Sequence, residues 1–396
     1  MHYTEIVDRL AGEGADSWAV YRRARQMIAD GADIVELAIG EPDVPTPESV
    51  TDAAIDALRR GRTDYAASAG EPGLRRALAD RYSARLGRPI SADQVICFPG
   101  TQTALYTVLR GVAGPGDEVL VGDPMYATYE PVVVSTGASV VRVPLEASHG
   151  FRIQADAIAE AVTSRSTAIL LNTPHNPTGA VLTADDVDAI GRVAREHDLW
   201  LIVDEVYEDL IHGETPFESP LRHEALAERV VVLNSISKSH AAPGFRSGWC
   251  VGPETFCRRL LPLCEAVLFG NQPFIADATE AAVSAPSPVA AGMAQRFAAR
   301  AMRLADRFEA ETSLRVHRPG AGMFVLVDVS STGRSGLELA NELVDHAGVA
   351  VMPGSSFGRS LDRWIRVALT QPDDEFDEGC RRIIEYVNRT PTEEPQ

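Results

Sequence analysis

An α/β protein is the fold class the sequence predicts: a mostly parallel seven-stranded sheet flanked by helices, joined to a smaller α+β unit. Three observations carry that expectation. Between Val95 and Val251, seven short apolar runs lack the in–out alternation of a half-exposed strand. Segments with helical periodicity separate them, the pattern of parallel strands covered on both faces. From Pro286 onward a long helical segment leads into short strands and helices of a different rhythm.

The elements follow in order. A helical pattern runs through Trp18, Val20, Tyr21, Arg25, Met27 and Ile28, and a strand-like run Ile34–Ile39 ends at the turn signal Gly40-Glu41-Pro42-Asp43. Pro45 and Pro47 make an extended connector. Helices are predicted over Ser49–Arg60 and Leu74–Arg85, with a loop Asp64–Gly70 between them. The seven strands are Val95–Phe98, Glu118–Val121, Ser139–Val143, Ala168–Leu171, Leu199–Val203, Val230–Leu233 and Trp249–Val251. Thr103–Val112, Ala184–Glu196 and Glu254–Phe269 are helices among them. Beyond lie a helix Val289–Thr312, a strand within Gly322–Asp328, a helix Leu337–His346, strands Val349–Met352 and Trp364–Leu369, and a helix Asp374–Val387. The polar tail from Arg389 is expected to fray. The domain boundaries predicted are 45–286 for a large domain, and 1–44 with 287–396 for a small one.

Composition narrows the function classes. The formal net charge of -19 argues against nucleic acid or an anionic membrane as partner, since both require a basic face. No apolar run reaches the ~18 residues of a membrane span, and the N-terminus lacks a signal-peptide pattern. The five cysteines form no C-x-x-C pair, which predicts reduced thiols and a cytoplasmic location. The nine histidines lack ligand spacing, so no metal site is expected.

One residue organises the functional reading. Of the 37 basic side chains, only Lys238 is a lysine. Arginine keeps its proton at neutral pH and cannot form an imine; a lysine amine can. Ser235 and Ser237 flank Lys238, and Arg246 follows in Gly244-Phe245-Arg246-Ser247-Gly248, a set suited to a phosphate beside an imine. Four further features precede it in order, each just past a predicted strand. Pro99-Gly100-Thr101-Gln102 opens a helix whose free amides would hold a phosphate. Asp123-Pro124-Met125-Tyr126 presents a ring able to stack on a heteroaromatic group. Asn172-Thr173-Pro174-His175-Asn176-Pro177 is a stiff turn with two amides, and Asn176 could donate to a phenolic oxygen. Val203-Asp204-Glu205-Val206-Tyr207 closes an apolar strand with a carboxylate that needs a partner, such as a protonated pyridine nitrogen.

With these motifs the chain resembles the fold-type I, class I/II pyridoxal-phosphate-dependent aminotransferases, from Gly40-Glu41-Pro42-Asp43 through Arg366. The resemblance implies pyridoxal 5'-phosphate joined through an imine to Lys238, with Asp204 on its ring nitrogen. Tyr207 and Asn176 would bond its phenolic oxygen and Tyr126 would stack on the ring. Gly100, the backbone of Thr101 and Gln102, and the side chains of Ser235, Ser237 and Arg246 would take the phosphate. Tyr65 matches a tyrosine that reaches the phosphate of a neighbouring subunit, implying a homodimer with shared sites. Arg366 matches the arginine that grips the substrate α-carboxylate, and Gly40 and Asn176 line the substrate. Lys238, Asp204 and Tyr207 form the implied catalytic set.

The substrate is less determined. Some aspartate-type relatives place a lysine where Gln102 stands, which weakens an acidic donor. The stretches Met125–Glu130, Pro174–Pro177, Asn234–Ala241 and Gly322–Val325 are similar to bacterial arginine–pyruvate aminotransferases. A guanidinium donor would need an uncompensated carboxylate, for which Glu13, Asp16, Glu41 and Asp43 are candidates. Pyruvate or 2-oxoglutarate would accept the amino group. Ala242-Pro243 departs from the residues usual before the Gly-x-Arg element. An aspartate-type aminotransferase and a C–S lyase of the same fold are the alternatives. A cofactor-binding transcription regulator is the non-enzyme reading, disfavoured by the charge and by the lack of a DNA-binding module ahead of the motifs.

Overall fold

The computed structural model describes residues 2–10 and 18–389. Its strands are β1 (Val35–Glu36), β2 (Val95–Phe98), β3 (Glu118–Asp123), β4 (Ser139–Pro144), β5 (Ser166–Asn172), β6 (Trp200–Asp204), β7 (Val230–Ser235), β8 (Gly248–Val251), β9 (Arg315–His317), β10 (Phe324–Asp328), β11 (Val349–Ala350), β12 (Met352–Pro353) and β13 (Trp364–Ala368). β2 to β8 form one seven-stranded sheet in the order β2-β8-β7-β6-β5-β3-β4. Only β8 runs antiparallel to its neighbours, pairing Val95 with Val251 on one side and Val232 with Val251 on the other. β7 is buried along all six residues, and so is β2 along its four. Such strands have no solvent face, so every position can be apolar. Each fully buried valine or leucine contributes about 1.5–3 kcal/mol.

The sheet splits the interior into two apolar layers. One includes Ile96, Leu105, Val121, Ile202 and Leu233; the other includes Val95, Leu201, Val203, Val232 and Trp249. Strand order reverses between β3 and β5: one branch runs outward to β4, the other back through β6 and β7. A crevice at the carboxyl ends of such strands is where a ligand fits.

The remaining strands stitch the two ends of the chain together. β9, β10, β12 and β13 make an antiparallel sheet in the order β12-β13-β10-β9. β1 pairs in parallel with β11, Val35 facing Val349. Ala368 N–H then donates to Leu37 O at 2.8 Å, tying the N-terminal segment to β13. The sequence predicts a single strand Val349–Met352. It is two, because the chain leaves β1 at Ala350 and joins β13 at Met352. The predicted helix Leu337–His346 is an α-helix only over Gly336–Glu342; Leu343–Ala347 is a wider π turn, ended by Gly348 at φ 63°. Several elements were not predicted, among them the helices Tyr129–Ser135 and Ala155–Ala161, β9 and the helix Pro273–Val283. β9 is three residues long, and the helix Pro273–Val283 is apolar nearly all round because it is buried against the helices Glu48–Arg59 and Pro72–Leu86. The polar tail lies largely outside the described residues.

Among the described residues, no helix is long and apolar enough to cross a membrane, and no group of three or more His, Cys, Asp or Glu side chains is arranged to hold a metal ion. All five cysteines are free and buried.

Candidate active site

The ends of β2, β3, β5, β6 and β7 open on one cavity of about 200 Å3. Beyond β2, Gly100 has φ 88° and caps the helix Thr101–Val112. A Cβ there would collide with the Arg246 guanidinium, so only glycine lets that cation lie against the turn. The first amides of the helix lack intrahelical acceptors, and the buried Thr101 hydroxyl has no partner among the described residues. Past β3, the Tyr126 ring faces the cavity, with Tyr129 edge-on at 5.5 Å between centroids.

β5 and β6 are cross-linked at their ends. Asn172 Nδ2 donates to Asp204 O at 2.9 Å, and Asn176 N–H donates to Asn172 Oδ1 at 2.7 Å. Asn176 Nδ2 donates to Tyr207 Oη at 3.3 Å, while its Oδ1 accepts from Arg366 Nη1 at 3.0 Å. Asp204 accepts from Tyr129 Oη at 2.8 Å and from Val206 N–H at 3.2 Å. Burial outweighs those two donors and raises the Asp204 pKa to about 6. A cationic hydrogen-bond donor at its free edge would bring that value back down.

β7 delivers the lysine. Ser235 caps the short helix Ile236–Ser239, its Oγ accepting from Ser237 N–H at 3.2 Å. Lys238 Nζ donates to Gly40 O at 2.8 Å, a contact spanning 198 positions. Burial lowers its pKa to about 8; the Glu41 carboxylate opposes that shift, and the Arg366 and Arg246 charges add to it. Arg366 comes from β13. It lies between the rings of Phe324 and Phe357, with its Cζ 3.8 and 4.3 Å from their centroids, and donates to Ala38 O at 2.8 Å. Among the described residues its buried Nε has no hydrogen-bond partner. Burial lowers its pKa to about 9, still cationic at neutral pH.

The structure therefore brings together Gly100, Thr101, Gln102, Tyr126, Asn176, Asp204, Tyr207, Ser235, Ser237, Lys238 and Arg246, with Gly40 and Arg366 bordering them. Tyr65 stands apart from the cavity: it is 90% exposed and packs on Phe269 at 5.9 Å. Pro243 lines the cavity and opens a 3-10 turn, where its missing N–H costs nothing; its carbonyl accepts from Arg246 Nη1 at 2.9 Å. Sequence reasoning missed Tyr129, the Asp204 donor. Its spacing from Tyr126 on an incipient helix was the available signal. It also missed the two phenylalanines around Arg366, which are 33 residues apart and meet only in the fold.

Of the four carboxylates considered for a cationic donor, Glu13 and Asp16 lie outside the described residues. Asp43 must be struck out. Arg296 and Arg300 clamp it, with contacts of 2.8 Å from each, and its side chain is only 4% exposed. Glu41 remains.

The charge pattern suits an anionic ligand. The protein carries -19 overall, yet Lys238 and Arg246 line this cavity and Arg366 adjoins it through Asn176, while Asp204 is the one carboxylate in the lining. Among the described residues none of the three cations has a carboxylate hydrogen-bond partner. Phosphate acceptors, a ring nitrogen and a substrate carboxylate would satisfy these groups together, so the donor set fits pyridoxal 5'-phosphate.

Comparisons with known proteins agree with that chemistry. The family described as aminotransferase class I and II matches residues 32–383. The arginine–pyruvate transaminase AruH of Pseudomonas aeruginosa is 41% identical over 384 residues, covering 97% of each chain. An aspartate/prephenate aminotransferase of Thermus thermophilus is 33% identical over 373 residues, covering 94% of this chain and 95% of its own. Among solved structures, the aspartate aminotransferase from Thermus thermophilus with maleate superposes with a TM-score of 0.91 at 30% identity, over 97% of this chain and 99% of that one.

Proposed function

The chain belongs to the class I and II aminotransferases, and from that membership we propose a donor, residue roles and an assembly. The family depends on pyridoxal 5'-phosphate, and the protein is a transaminase that passes an amino group from an L-amino acid to a 2-oxo acid. The donor we propose is arginine or another amino acid without an acidic side chain; the acceptor is pyruvate or 2-oxoglutarate. The relative named for arginine and pyruvate supports it, as does Gln102 where some aspartate-type relatives carry a lysine.

The observation that carries the residue roles is the excess of cations in the cleft. Arg366 binds the substrate α-carboxylate: its planar fork is buried, stacked and short of an anion. Arg246, Ser235, Ser237 and the amides of Thr101 and Gln102 beside Gly100 hold the phosphate. Asp204 keeps a proton on the ring nitrogen, and Tyr129 holds that carboxylate in place. Asn176 and Tyr207 donate to the ring oxygen, while Tyr126 covers the ring. Bound pyridoxal phosphate supplies a carbonyl that condenses with amines and a ring that accepts the charge left at the substrate Cα. Lys238 Nζ takes the Cα proton and returns it as general base and acid, its lowered pKa leaving an appreciable neutral fraction near pH 8. The carbonyl of Gly40, now on Nζ, gives the released amine a resting place.

A homodimer, a cytoplasmic location and the division into 45–286 against 1–44 with 287–396 belong to the same reading. The exposed Tyr65–Phe269 pair is an apolar surface that a second copy would cover. The five unpaired cysteines suit a reducing compartment, and the β1–β11 pairing joins the chain's two ends in one unit.

The test is a half-reaction screen of the holoenzyme, following decay of the cofactor's visible absorption with each common L-amino acid. Decay with arginine, restored by pyruvate, is expected. Ammonia and pyruvate released from a β-substituted amino acid without any 2-oxo acid, and no amino transfer, would sink the reading in favour of elimination.

A further inference from the structure

We propose that Thr46 and Ser287 are positioning residues for Lys238: two hydroxyl struts that pin the turn behind the amine to both crossings between the large and small units. The role rests on Lys238 as the base and on the division at 45 and 286 proposed above, and it names what holds that base in place.

The sequence marks the two struts alike. Pro45-Thr46-Pro47 and Pro286-Ser287-Pro288 are the only two Pro-x-Pro triplets in the chain, each with a hydroxyl at its centre and each at a crossing. Proline fixes its own φ and drives the residue before it into an extended conformation. Thr46 and Ser287 are thus stiffened from both sides, and a hydroxyl on a stiff backbone loses little entropy in making a bond.

The structure sends both hydroxyls to one turn. Thr46 Oγ1 donates to Ala241 O at 2.6 Å, and Ser287 Oγ donates to Ser239 O at 2.5 Å. Ser239 directly follows Lys238, and Ala241 lies two residues further on. This turn needs outside support. Its helix, Ile236–Ser239, is four residues long, far too short to persist on its own. Ala241 sits in the left-handed region at φ 49° without being glycine, a conformation that survives only where its surroundings impose it.

The two crossings are also locked to each other. Ser287 Oγ accepts from Val289 N–H at 3.2 Å and from Ala290 N–H at 3.1 Å, which fixes the start of the helix Ala290–Glu311. From that helix Arg296 and Arg300 grip Asp43, three residues before Thr46. Gly40, three residues earlier again, takes the Lys238 amine itself. The contacts close into a ring that runs from the amine through the N-terminal crossing, the arginine clamp and the long helix to Ser287, and back to the lysine turn. Any shift of one unit against the other must move that turn or break one of these bonds.

Loss of each hydroxyl tests the role in holoenzyme and apoprotein. Thr46→Val, Ser287→Ala and the two combined are compared with the hydroxyl-keeping Thr46→Ser and Ser287→Thr. Thr46→Val keeps the side-chain shape and caps no helix, so it reads the strut alone should Ser287→Ala weaken its helix. Each single loss should slow the limiting half-reaction rate by roughly 3- to 30-fold and the double loss by up to ~100-fold, the scale of a reacting group displaced by about 1 Å. Donor KM should stay near the wild-type value, because Arg366 is untouched, and the hydroxyl-keeping variants should retain the wild-type rate. In the apoprotein, amide hydrogen exchange over residues 236–242 should quicken in the three hydroxyl-lacking variants while β6 stays protected. A limiting rate unmoved by all three, whatever the exchange does, overturns the role of the struts. So does a loss confined to KM, or one shared equally by Thr46→Ser and Ser287→Thr. A Lys238→Ala enzyme that keeps its rate overturns the reading of Lys238 as base, and the struts with it.

Discussion

Asp204 and Glu205 are neighbours in the chain, and they serve opposite faces of the central sheet. On the cleft face Asp204 meets Tyr129, and among the described residues the three nearby cations make no hydrogen bond to a carboxylate. On the other face Glu205 meets Ser219 Oγ at 2.6 Å, beside a cluster in which Arg81 and Arg85 grip Glu208 and Asp209. There, two guanidiniums face three carboxylates. Burial, then the charge of Glu208, raises the Glu205 pKa well above the carboxylate range, so it keeps its proton and the charges balance. Both faces are buried and both are rich in ionisable groups. What separates them is pairing: on the far face both guanidiniums grip carboxylates, whereas among the described residues the three cations of the cleft make no hydrogen bond to one. Charge imbalance, more than burial or pKa displacement, marks the functional side.

Four substitutions test that contrast, from the largest effect down. Lys238→Ala removes the only side-chain amine and should lower the half-reaction rate by about 10²–10⁴-fold or more, with cofactor still bound. Borohydride reduction of the wild-type holoenzyme should label one peptide, the one containing Lys238; labelled protein with that peptide unmodified would contradict the assignment. On the closed face, Arg81→Met strips a partner from Glu208 and Asp209. It should cost about 3–5 kcal/mol in denaturant unfolding, as for a broken buried ion pair. A loss below ~1 kcal/mol would mean this cluster is as open as the cleft.

Arg366→Ala should reduce kcat/KM by a factor equivalent to roughly 2–5 kcal/mol, as when one member of a buried charge pair is truncated. The loss should be shared by all donors, since all carry the α-carboxylate; selective loss of one donor would assign Arg366 elsewhere. The last test uses pH. The Lys238 pKa falls from its ordinary 10.5 to about 8 on folding. Between those values the unfolded chain binds more protons, so apoprotein stability rises with pH there. Lys238→Met apoprotein should therefore exceed the wild type in stability at pH 7, and the margin should close between about pH 8 and 10.5. A margin independent of pH would show that the folded amine is not desolvated.

Much of the site was legible because it is written in short motifs. Gly100, Asn172, Asp204 and Ser235 stand at or just past the ends of β2, β5, β6 and β7, and a parallel sheet delivers all such ends to one rim; Arg246 instead reaches the rim from the turn before the antiparallel β8. Asp43 shows where that reasoning failed. In sequence it is as good a carboxylate as Glu41; its neutralisation comes from Arg296 and Arg300, more than 250 positions away. The split of Val349–Met352 between two sheets was invisible for the same reason, since no local pattern records which neighbour a strand will find.

The amino-acid sequence alone determined the layered α/β fold, the single amine and the order of the polar turns, because apolar periodicity and backbone preferences act over a few residues. Tertiary structure decided the partnerships: Lys238 with Gly40, Asn176 with Arg366, Tyr129 with Asp204, and Asp43 with its two arginines. These contacts join segments from 75 to 257 positions apart. They form only where strand order, layer packing and the meeting of the chain's two ends bring the groups within hydrogen-bond range.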